Sequence, residues 1–220
     1  MPRSPAELIR RTTEVVRSDG LAGVVSKTVA WIGRLFYARS DYLVFEHDLR
    51  PTQFTPRATD LTVTTVGSPA ELARLPEEAR GALEAHGARL TSHLESGGMV
   101  FCVVVDGRLA HQCWVGTRRS PVIDPIAALI DYDRIAYLGA GETAPEFRGQ
   151  GMLPLALCRI CDVLRARGFA RAVATVSPDN GSSIRGITKA GFQPAGRGML
   201  VRCLGRYSWI FDSPAGHKER

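Results

Sequence analysis

Residues 135–176 constrain the fold more than any other part of the chain, because their pattern predicts a strand, a helix and a second strand. Ile135–Thr143 is an apolar run loosened by two glycines, and Ala170–Val176 is a second apolar run. Between them, residues 151–167 have helical spacing that ends at Gly168. Two strands joined by a helix run parallel in one sheet, so this segment predicts an α/β fold.

The remaining elements add hairpins and helices to this unit. Helical spacing over residues 69–95 predicts helices, and Asp106-Gly107 between two apolar runs predicts a tight hairpin turn. The further predicted strands are Leu61–Val66, Val100–Val105, Arg108–Val115, Met199–Cys203 and Tyr207–Phe211, and Asn180–Ala190 is predicted to be a short helix.

The first fifty residues are predicted to lie outside the main domain. Their spacing predicts helices over residues 5–18 and 21–38, and Tyr42–Phe45 has the character of a short strand. Residues 50–60 are polar and contain two prolines, as in a linker. The predicted organisation is a helical extension over 1–50, a main domain over 51–212 and a frayed tail over 213–220. Whether the extension docks on the domain, forms a homodimer or contacts a membrane stays open.

Charge and hydropathy narrow the class of protein. A net charge of +6 favours anionic partners, but the arginines are scattered rather than gathered in one block. The sequence has no recognition-helix motif and no zinc spacing, so we predict no nucleic-acid partner. No apolar run reaches about 18 residues, and no cleavage site follows the early apolar stretch. We therefore predict no stable membrane insertion and a cytoplasmic location.

The cysteines indicate packing rather than a metal site. Five are present, and most stand in apolar runs, where a free thiol behaves as a small hydrophobic group. Cys158 and Cys161 form a lone C-x-x-C without a second pair or a histidine cluster nearby. We predict buried free thiols, a reducing compartment and no bound metal.

A glycine-rich turn separates the first strand of residues 135–176 from the helix. Its sequence over residues 145–151 is PEFRGQG. Glycines at such a turn let backbone N–H groups approach an anion closely, and the helix start adds unpaired donors and a positive dipole end. Arg148 adds a fixed positive charge suited to phosphate. The turn therefore predicts a pyrophosphate site.

This turn resembles the acyl-CoA loop of the GNAT (Gcn5-related N-acetyltransferase) family. That loop has Gln or Arg, two variable residues, Gly, one variable residue, then Gly or Ala. Arg148 and Gly151 match its first and fourth positions, whereas Leu153 departs from its last. A second segment is similar to the family's later motif, because Asn180 opens a predicted helix that is followed by Gly191-Phe192. The resemblance covers residues 61–211.

The resemblance implies a mixed, mostly antiparallel central sheet, flanked by helices and splayed at the cofactor site. The implied cofactor is acetyl-CoA or another acyl-CoA. Its pantetheine arm would pair with backbone groups of Glu142, Thr143 and Ala144, with the acyl carbonyl near the first two. The pyrophosphate would lie on Arg148, Gly149, Gln150, Gly151, Met152 and Leu153, and Asn180 with Ser183 would line the cofactor side.

Direct transfer of an acyl group to an amine needs a base and a proton for the leaving thiolate. Many GNAT members place a tyrosine in the helix after the asparagine, but that position is Ile187 here. Glu142 is the predicted base, because a carboxylate in an apolar strand is costly unless it is paired or functional. Exposure to solvent or pairing with an arginine is the alternative. His111, Trp114 and Tyr132 are candidate substrate-binding residues, with ordinary packing or a turn as the alternative for each.

Three functions follow from these features. The first is an acetyl-CoA-dependent N-acetyltransferase with a small-molecule amine as acceptor. The spelling of its motifs resembles members associated with sugar and polysaccharide biosynthesis, which points to an amino sugar. The second is a non-catalytic acyl-CoA-binding sensor or interaction module, favoured by Ile187. The third, nucleic-acid binding through the basic surface, has the least support.

Overall fold

A computed structural model of the protein describes residues 37–49, 63–119, 122–130 and 132–212. The predicted helix over 5–18, most of that over 21–38, the linker and the tail lie outside these ranges. The strands are β1 Tyr37–Asp48, β2 Val63–Val66, β3 Met99–Val105, β4 Arg108–Gly116, β5 Ile135–Thr143, β6 Arg171–Val176, β7 Gln193–Cys203 and β8 Arg206–Asp212. The helices are α1 Pro69–Leu72, α2 Glu77–Glu84, α3 Ala88–Glu95, α4 Met152–Ala166 and α5 Gly181–Lys189, with 3-10 turns at Pro125–Ala128 and Pro145–Phe147.

The described residues form a large compact unit, which takes in Asp41–Leu200 and 209–212, and a small one that includes Val201–Ser208. The strands make one sheet in the order β2-β3-β4-β5-β6-β1-β7-β8. β5 and β6 run parallel, whereas β2/β3, β3/β4, β4/β5 and β6/β1 run antiparallel. This is the mixed α/β sheet, mostly antiparallel and flanked by helices, that the sequence predicts.

Helices cover both faces of the sheet. On one face, which we call the α4 face, Leu138 and Ala174 pack against Leu157 and Ile160 of α4. On the other, the α2–α3 face, Trp114 and Tyr137 pack against Leu83 of α2 and Leu90 of α3. The alternation of side chains along each strand sends successive residues into these two cores. Among the described helices, none is both long and apolar enough to cross a membrane.

Strand β1 corrects the prediction for the start of the chain. Tyr37 and Ala38 stand in β1 rather than at the end of a helix, and Leu43–Asp48 pair with β6. Val44 and Phe45 are both buried, one in each core, as in a strand covered on two sides. Residues 43–48 are therefore part of the sheet and not of a helical extension. The division of the remaining residues stays a prediction.

The second half of the chain agrees with the predicted elements except at β7. This strand begins at Gln193, six residues before the predicted start at Met199. Gly196 and Gly198 argue against a strand by composition, but a Cβ at Gly198 would lie 2.0 Å from the Trp209 ring. The glycine is there because the indole of β8 lies against the backbone.

Candidate active site

The neighbouring strands β5 and β6 part before they end. The last residues that pair in parallel register are Leu138 and Ala174, although β5 continues to Thr143 and β6 to Val176. A cleft of about 520 Å³ opens at this point, with walls from β5, β6, α4 and α5. The parting of two central strands leaves backbone groups that no neighbouring strand satisfies.

A β-bulge bends β5 at the same place. Gln112 lies opposite Glu142 and Trp114 opposite Gly139, so two steps along β4 match three along β5. Ala140 has a φ of 47°, which a non-glycine residue rarely adopts. A bulge of this kind re-aims a strand, and here it leaves residues 140–142 exposed in the middle of a sheet.

The backbone of Ala144 is fully used by the protein itself. Its N–H donates to the Ala110 carbonyl at 3.0 Å, and its own carbonyl accepts from the N–H of Phe147 at 2.9 Å. The N–H of Ala144 thus has a partner inside the protein, and the implied pairing of Ala144 with a pantetheine arm stays a prediction.

The ladder between β4 and β5 decides which of the other backbone groups face the cleft. In an antiparallel pair, residues that exchange hydrogen bonds alternate with residues that do not. Because Ala144 bonds to β4, Glu142 does so too, and the groups of Thr143 and Gly141 point the other way. The Thr143 carbonyl accordingly accepts from Arg148 Nε at 3.3 Å. Gly141 and Thr143, rather than Glu142, present backbone groups to the cleft.

Helix α4 begins at the cleft without a side-chain cap. Gly151 stands at its N-cap with a φ of 78°, and Gly149 has a φ of 77°. No described atom lies within 4 Å of a Cβ placed at either glycine. The first N–H groups of a helix have no partner inside it, and Pro154 in the first turn brings none. The loop thus presents backbone donors and open space, which suits an anion.

The side chains of the loop hold its shape and add charge. Gln150 Nε2 donates to the Glu146 carbonyl at 2.9 Å, and the exposed Arg148 lines the cleft beside Thr143. Met152 is buried, so only its backbone is available to a ligand. Leu153 also lines the cleft, and a Cβ placed at Gly186 of α5 would lie 2.7 Å from its Cδ2. The departure at Leu153 from the family pattern is therefore matched by a glycine on the facing helix.

Helix α5 forms the opposite wall. The Asn180 side-chain oxygen accepts from the N–H of Ser183 at 3.1 Å and from the Ser182 hydroxyl at 2.9 Å. All three residues line the cleft, as does Ile187, which is buried. The contact of Asn180 and Ser183 with a cofactor stays a prediction, and no tyrosine lines the cleft among the described residues.

His111 lies under the cleft on the α4 face. Its Nδ1 is 2.8 Å from the Thr143 hydroxyl, and its Nε2 is buried without a partner. Burial lowers the pKa of His111 to about 4, because the charged imidazolium loses its hydration. The ring is therefore uncharged at neutral pH and holds Thr143 in place.

The cysteine in the cleft is not an activated nucleophile. Cys113 lines the cleft, and burial raises the pKa of its thiol to about 12, with Cys102 adding to the shift. A thiol nucleophile acts as the thiolate, which this environment disfavours. All five cysteines are free; Cys102, Cys113 and Cys161 are buried as predicted, Cys158 is half-buried, and Cys203 is exposed.

Glu142 stands at the parting of the strands with its carboxylate tied to the α2–α3 face. Gln112 Nε2 donates to Glu142 Oε2 at 3.3 Å and also lies 2.9 Å from Nε2 of His86. The Gln112 carbonyl accepts from the Trp114 indole N–H at 3.3 Å. Glu142 is exposed and carries the only carboxylate among the described residues that line the cleft.

Two predicted substrate-binding residues lie elsewhere. Trp114 is fully buried between the rings of His86 and His93, so its prediction as a pocket-lining aromatic is wrong. Tyr132 donates its hydroxyl to the Ala127 carbonyl at 2.9 Å and does not line the cleft. It supports the loop before β5, and a role toward substrate stays a prediction.

Sequence reasoning missed Gln112 and His86. Gln112 is predicted to share a strand with His111 and Trp114, but its pairing with Glu142 depends on the bulge at Ala140. His86 comes from the connection between α2 and α3, far from Glu142 in sequence. No local pattern indicates either contact.

Comparison with known proteins gives the fold its name. No protein-family model and no curated protein matches the chain. A solved structure described as a GNAT-family acetyltransferase from Novosphingobium aromaticivorans superposes with a TM-score of 0.50 at 20% identity, over 76% of this chain and 66% of its own. A GCN5-related N-acetyltransferase from Sphaerobacter thermophilus gives 0.50 at 15% identity, over 86% of this chain and 57% of its own. The chain has the GNAT fold and spans less than two thirds of the length of these structures.

Proposed function

We propose that the protein is an acyl-CoA-dependent N-acyltransferase that moves an acetyl group directly from acetyl-CoA to the amine of a small molecule. One observation carries this proposal: the strands β5 and β6 part into a cleft that ends at the uncapped, glycine-rich start of α4. Backbone groups along one wall suit an amide-containing arm, and the helix start suits a pyrophosphate. Both halves of coenzyme A thus have a matching surface.

The residues that would hold the cofactor are those with polar groups at the cleft. Backbone groups of Gly141 and Thr143 would pair with the pantetheine arm, as a strand pairs with its neighbour. N–H groups from Gly149 to Leu153 and the Arg148 guanidinium would receive the phosphates. Ser182 and Ser183 would contact the arm from α5.

The chemistry divides between the cofactor and the protein. A bound acyl-CoA supplies an acyl carbon activated as a thioester. Glu142 is the group of the chain suited to take the proton from the amine, because it is the exposed carboxylate at the parting of the strands. The high pKa of Cys113 argues against an acyl-cysteine intermediate and for direct transfer. With Ile187 in place of a tyrosine, the described residues that line the cleft include no tyrosine to protonate the leaving thiolate, so solvent would supply that proton.

Calorimetric titration with acetyl-CoA tests the cofactor site. Gly151→Trp fills the start of α4 with an indole, and we expect it to abolish binding. Gly168→Trp is a matched control at the other end of the same helix, since Gly168 has a φ of 81° and open space around its Cβ. The control should unfold at the same temperature as Gly151→Trp and bind like the wild type. No binding by the wild type, or equal loss in both variants, would remove the basis for the proposal.

The acceptor is sought among primary amines. Thiol release from acetyl-CoA is measured with glucosamine, ethanolamine and spermidine, and glucosamine is tested first because the motifs resemble those of enzymes of sugar metabolism. Turnover with glucosamine alone would support an amino sugar as the acceptor. Turnover with ethanolamine or spermidine instead would keep the transferase and discard the amino sugar.

A second function rests on a different observation. Ile187 is buried where many GNAT enzymes have the tyrosine that protonates the thiolate. This favours a non-catalytic module that binds acyl-CoA as a sensor or docking domain. Tight acetyl-CoA binding without thiol release for any amine of the panel would support the module over the enzyme.

A further inference from the structure

Gln112 is buried between three polar groups on the α2–α3 face. Its side-chain nitrogen reaches Glu142 Oε2 at 3.3 Å and His86 Nε2 at 2.9 Å, and its oxygen accepts from the Trp114 indole N–H at 3.3 Å. Only 6% of Gln112 is exposed. A primary amide has two donors, and here each has a partner. The amide is therefore held in one orientation.

His86 accepts in this arrangement, because an amide nitrogen only donates. Its Nε2 receives the Gln112 proton, which places the imidazole proton on Nδ1. The ring is fixed edge-on to Trp114, with centroids 5.2 Å apart and planes at 82°. Trp114 is itself covered by Arg89, whose guanidinium carbon lies 4.8 Å from the ring centroid. Gln112 thus connects Glu142 to a rigid, buried aromatic.

Glu142 needs such an anchor. It stands just past the bulge at Ala140, in the part of β5 that has left β6, and its carboxylate is exposed. An exposed carboxylate on a strand that is paired on one side only samples several rotamers, which costs entropy each time it must meet a substrate amine. The Gln112 amide, itself held in place, donates to the Glu142 carboxylate and restricts it to the rotamer that faces the substrate amine.

We propose that Gln112 is a positioning residue, which holds the Glu142 carboxylate at the parting of β5 and β6 by tying it to His86 and Trp114. This inference rests on the proposed function, in which Glu142 takes the proton of the amine. It assigns Gln112 no contact with the cofactor, since Gln112 does not line the cleft.

A double-mutant cycle with Gln112→Met and Glu142→Gln tests the role. Gln112→Met keeps the length of the side chain and removes its hydrogen bonds. We expect it to lower kcat for the best amine of the panel about tenfold, with the acetyl-CoA Kd unchanged. In the Glu142→Gln background the same change should have an effect of less than about twofold, because the group that it positions is already lost. Equal losses in both backgrounds would mean a merely structural role and overturn the inference.

An NMR measurement tests the tether without an acceptor, and its Glu142→Ala arm leaves the ring contacts of Trp114 in place. In the wild type, the side-chain amide of Gln112 gives a 15N–1H pair with both protons hydrogen-bonded. Glu142→Ala and His86→Ala should each shift one proton of the pair upfield. Glu146→Ala, which removes an exposed carboxylate bonded to Arg108, is the control and should leave the pair in place. A pair that neither variant moves would overturn the tether.

The two proposals fail in different ways. A wild type that binds acetyl-CoA but transfers nothing to any amine sinks the proposed function, and the positioning role with it, even when the NMR pair behaves as expected. A wild type that turns over while Gln112→Met acts equally in both backgrounds sinks only the positioning role.

Discussion

Helices α4 and α5 both begin at the cleft, and they differ in whether a side chain caps the unpaired N–H groups of the first turn. α5 follows Asn180, whose side-chain oxygen accepts from the N–H of Ser183. α4 follows Gly151, and no side chain caps it. Each start has four N–H groups without a partner inside the helix, but only at α5 does a side chain of the protein accept from one of them.

The difference indicates what each helix start is for. A capped start gains stability from its own sequence, by about 1 kcal/mol for asparagine over alanine. An open start forgoes that gain and keeps its donors for a ligand. α4 also has 15 residues, and the glycine at its N-cap puts no side chain in the way of an anion. Under the proposed function, the start of α4 would bind the pyrophosphate of the cofactor, and α5 would contact its pantetheine arm.

The largest effect is expected from giving α4 a charge of its own. Gly151→Asp puts a carboxylate at the start of α4, where it competes for the donors and repels a phosphate. Because charge-assisted hydrogen bonds are worth roughly 1.5–3 kcal/mol each, the acetyl-CoA Kd should rise on the order of 100-fold. Gly151→Asn is the matched control, with the same shape, no charge and a tolerance for positive φ.

The pair of variants separates charge from shape. Titration calorimetry should find Gly151→Asn within about tenfold of the wild type. If asparagine and aspartate weaken binding equally, the bulk of the side chain or its capping of the N–H groups is responsible, and repulsion by the carboxylate is excluded.

Arg148 is expected to have the next largest effect. Its guanidinium is exposed at the cleft and anchored through Nε to the Thr143 carbonyl. Arg148→Ala should weaken acetyl-CoA about tenfold, and less at high salt, since exposed charges are screened within roughly 10 Å at 0.1 M. Arg159→Ala, an exposed arginine further along α4 that does not line the cleft, should bind like the wild type. Equal behaviour of the two variants would exclude a direct role for Arg148.

Much of the fold was predictable because its signals are local. The hairpin turn is specified by Asp106-Gly107, which adopt φ values of 48° and 79°. The predicted bounds of β5 match the structure, and those of α4 agree within one residue at each end. The helical spacing of the apolar residues of α4 ends at the same places as its flanking glycines, so both signals give the same bounds. The glycine-rich turn over residues 145–151, the proposed pyrophosphate site, follows from the same local pattern.

The errors arise where distant residues decide. β1 pairs with β6, which lies more than a hundred residues later in the chain, so no residue near Tyr42–Phe45 indicates this pairing. The bulge at Ala140 sets which backbone groups face the cleft. A family motif specifies residue types only, so it does not say which residues of the strand turn their backbone groups toward the cleft. Trp114 has the composition of a pocket residue, but its exposure depends on His86 and His93 from other elements.

The smallest effect is expected from removing the side-chain cap of α5, so that its start is uncapped like that of α4. Asn180→Ala removes the cap and should lower stability by about 1 kcal/mol, which corresponds to roughly 2–4 °C in Tm for a domain of this size. Asn180→Ser keeps a capping oxygen and should stay close to the wild type in a thermal melt. Since the Asn180 oxygen is already engaged by Ser182 and Ser183, acetyl-CoA affinity should change less than it does in Arg148→Ala. An Asn180→Ala variant with unchanged Tm and strongly weakened acetyl-CoA binding would contradict the comparison, because the start of α5 would then also bind the ligand.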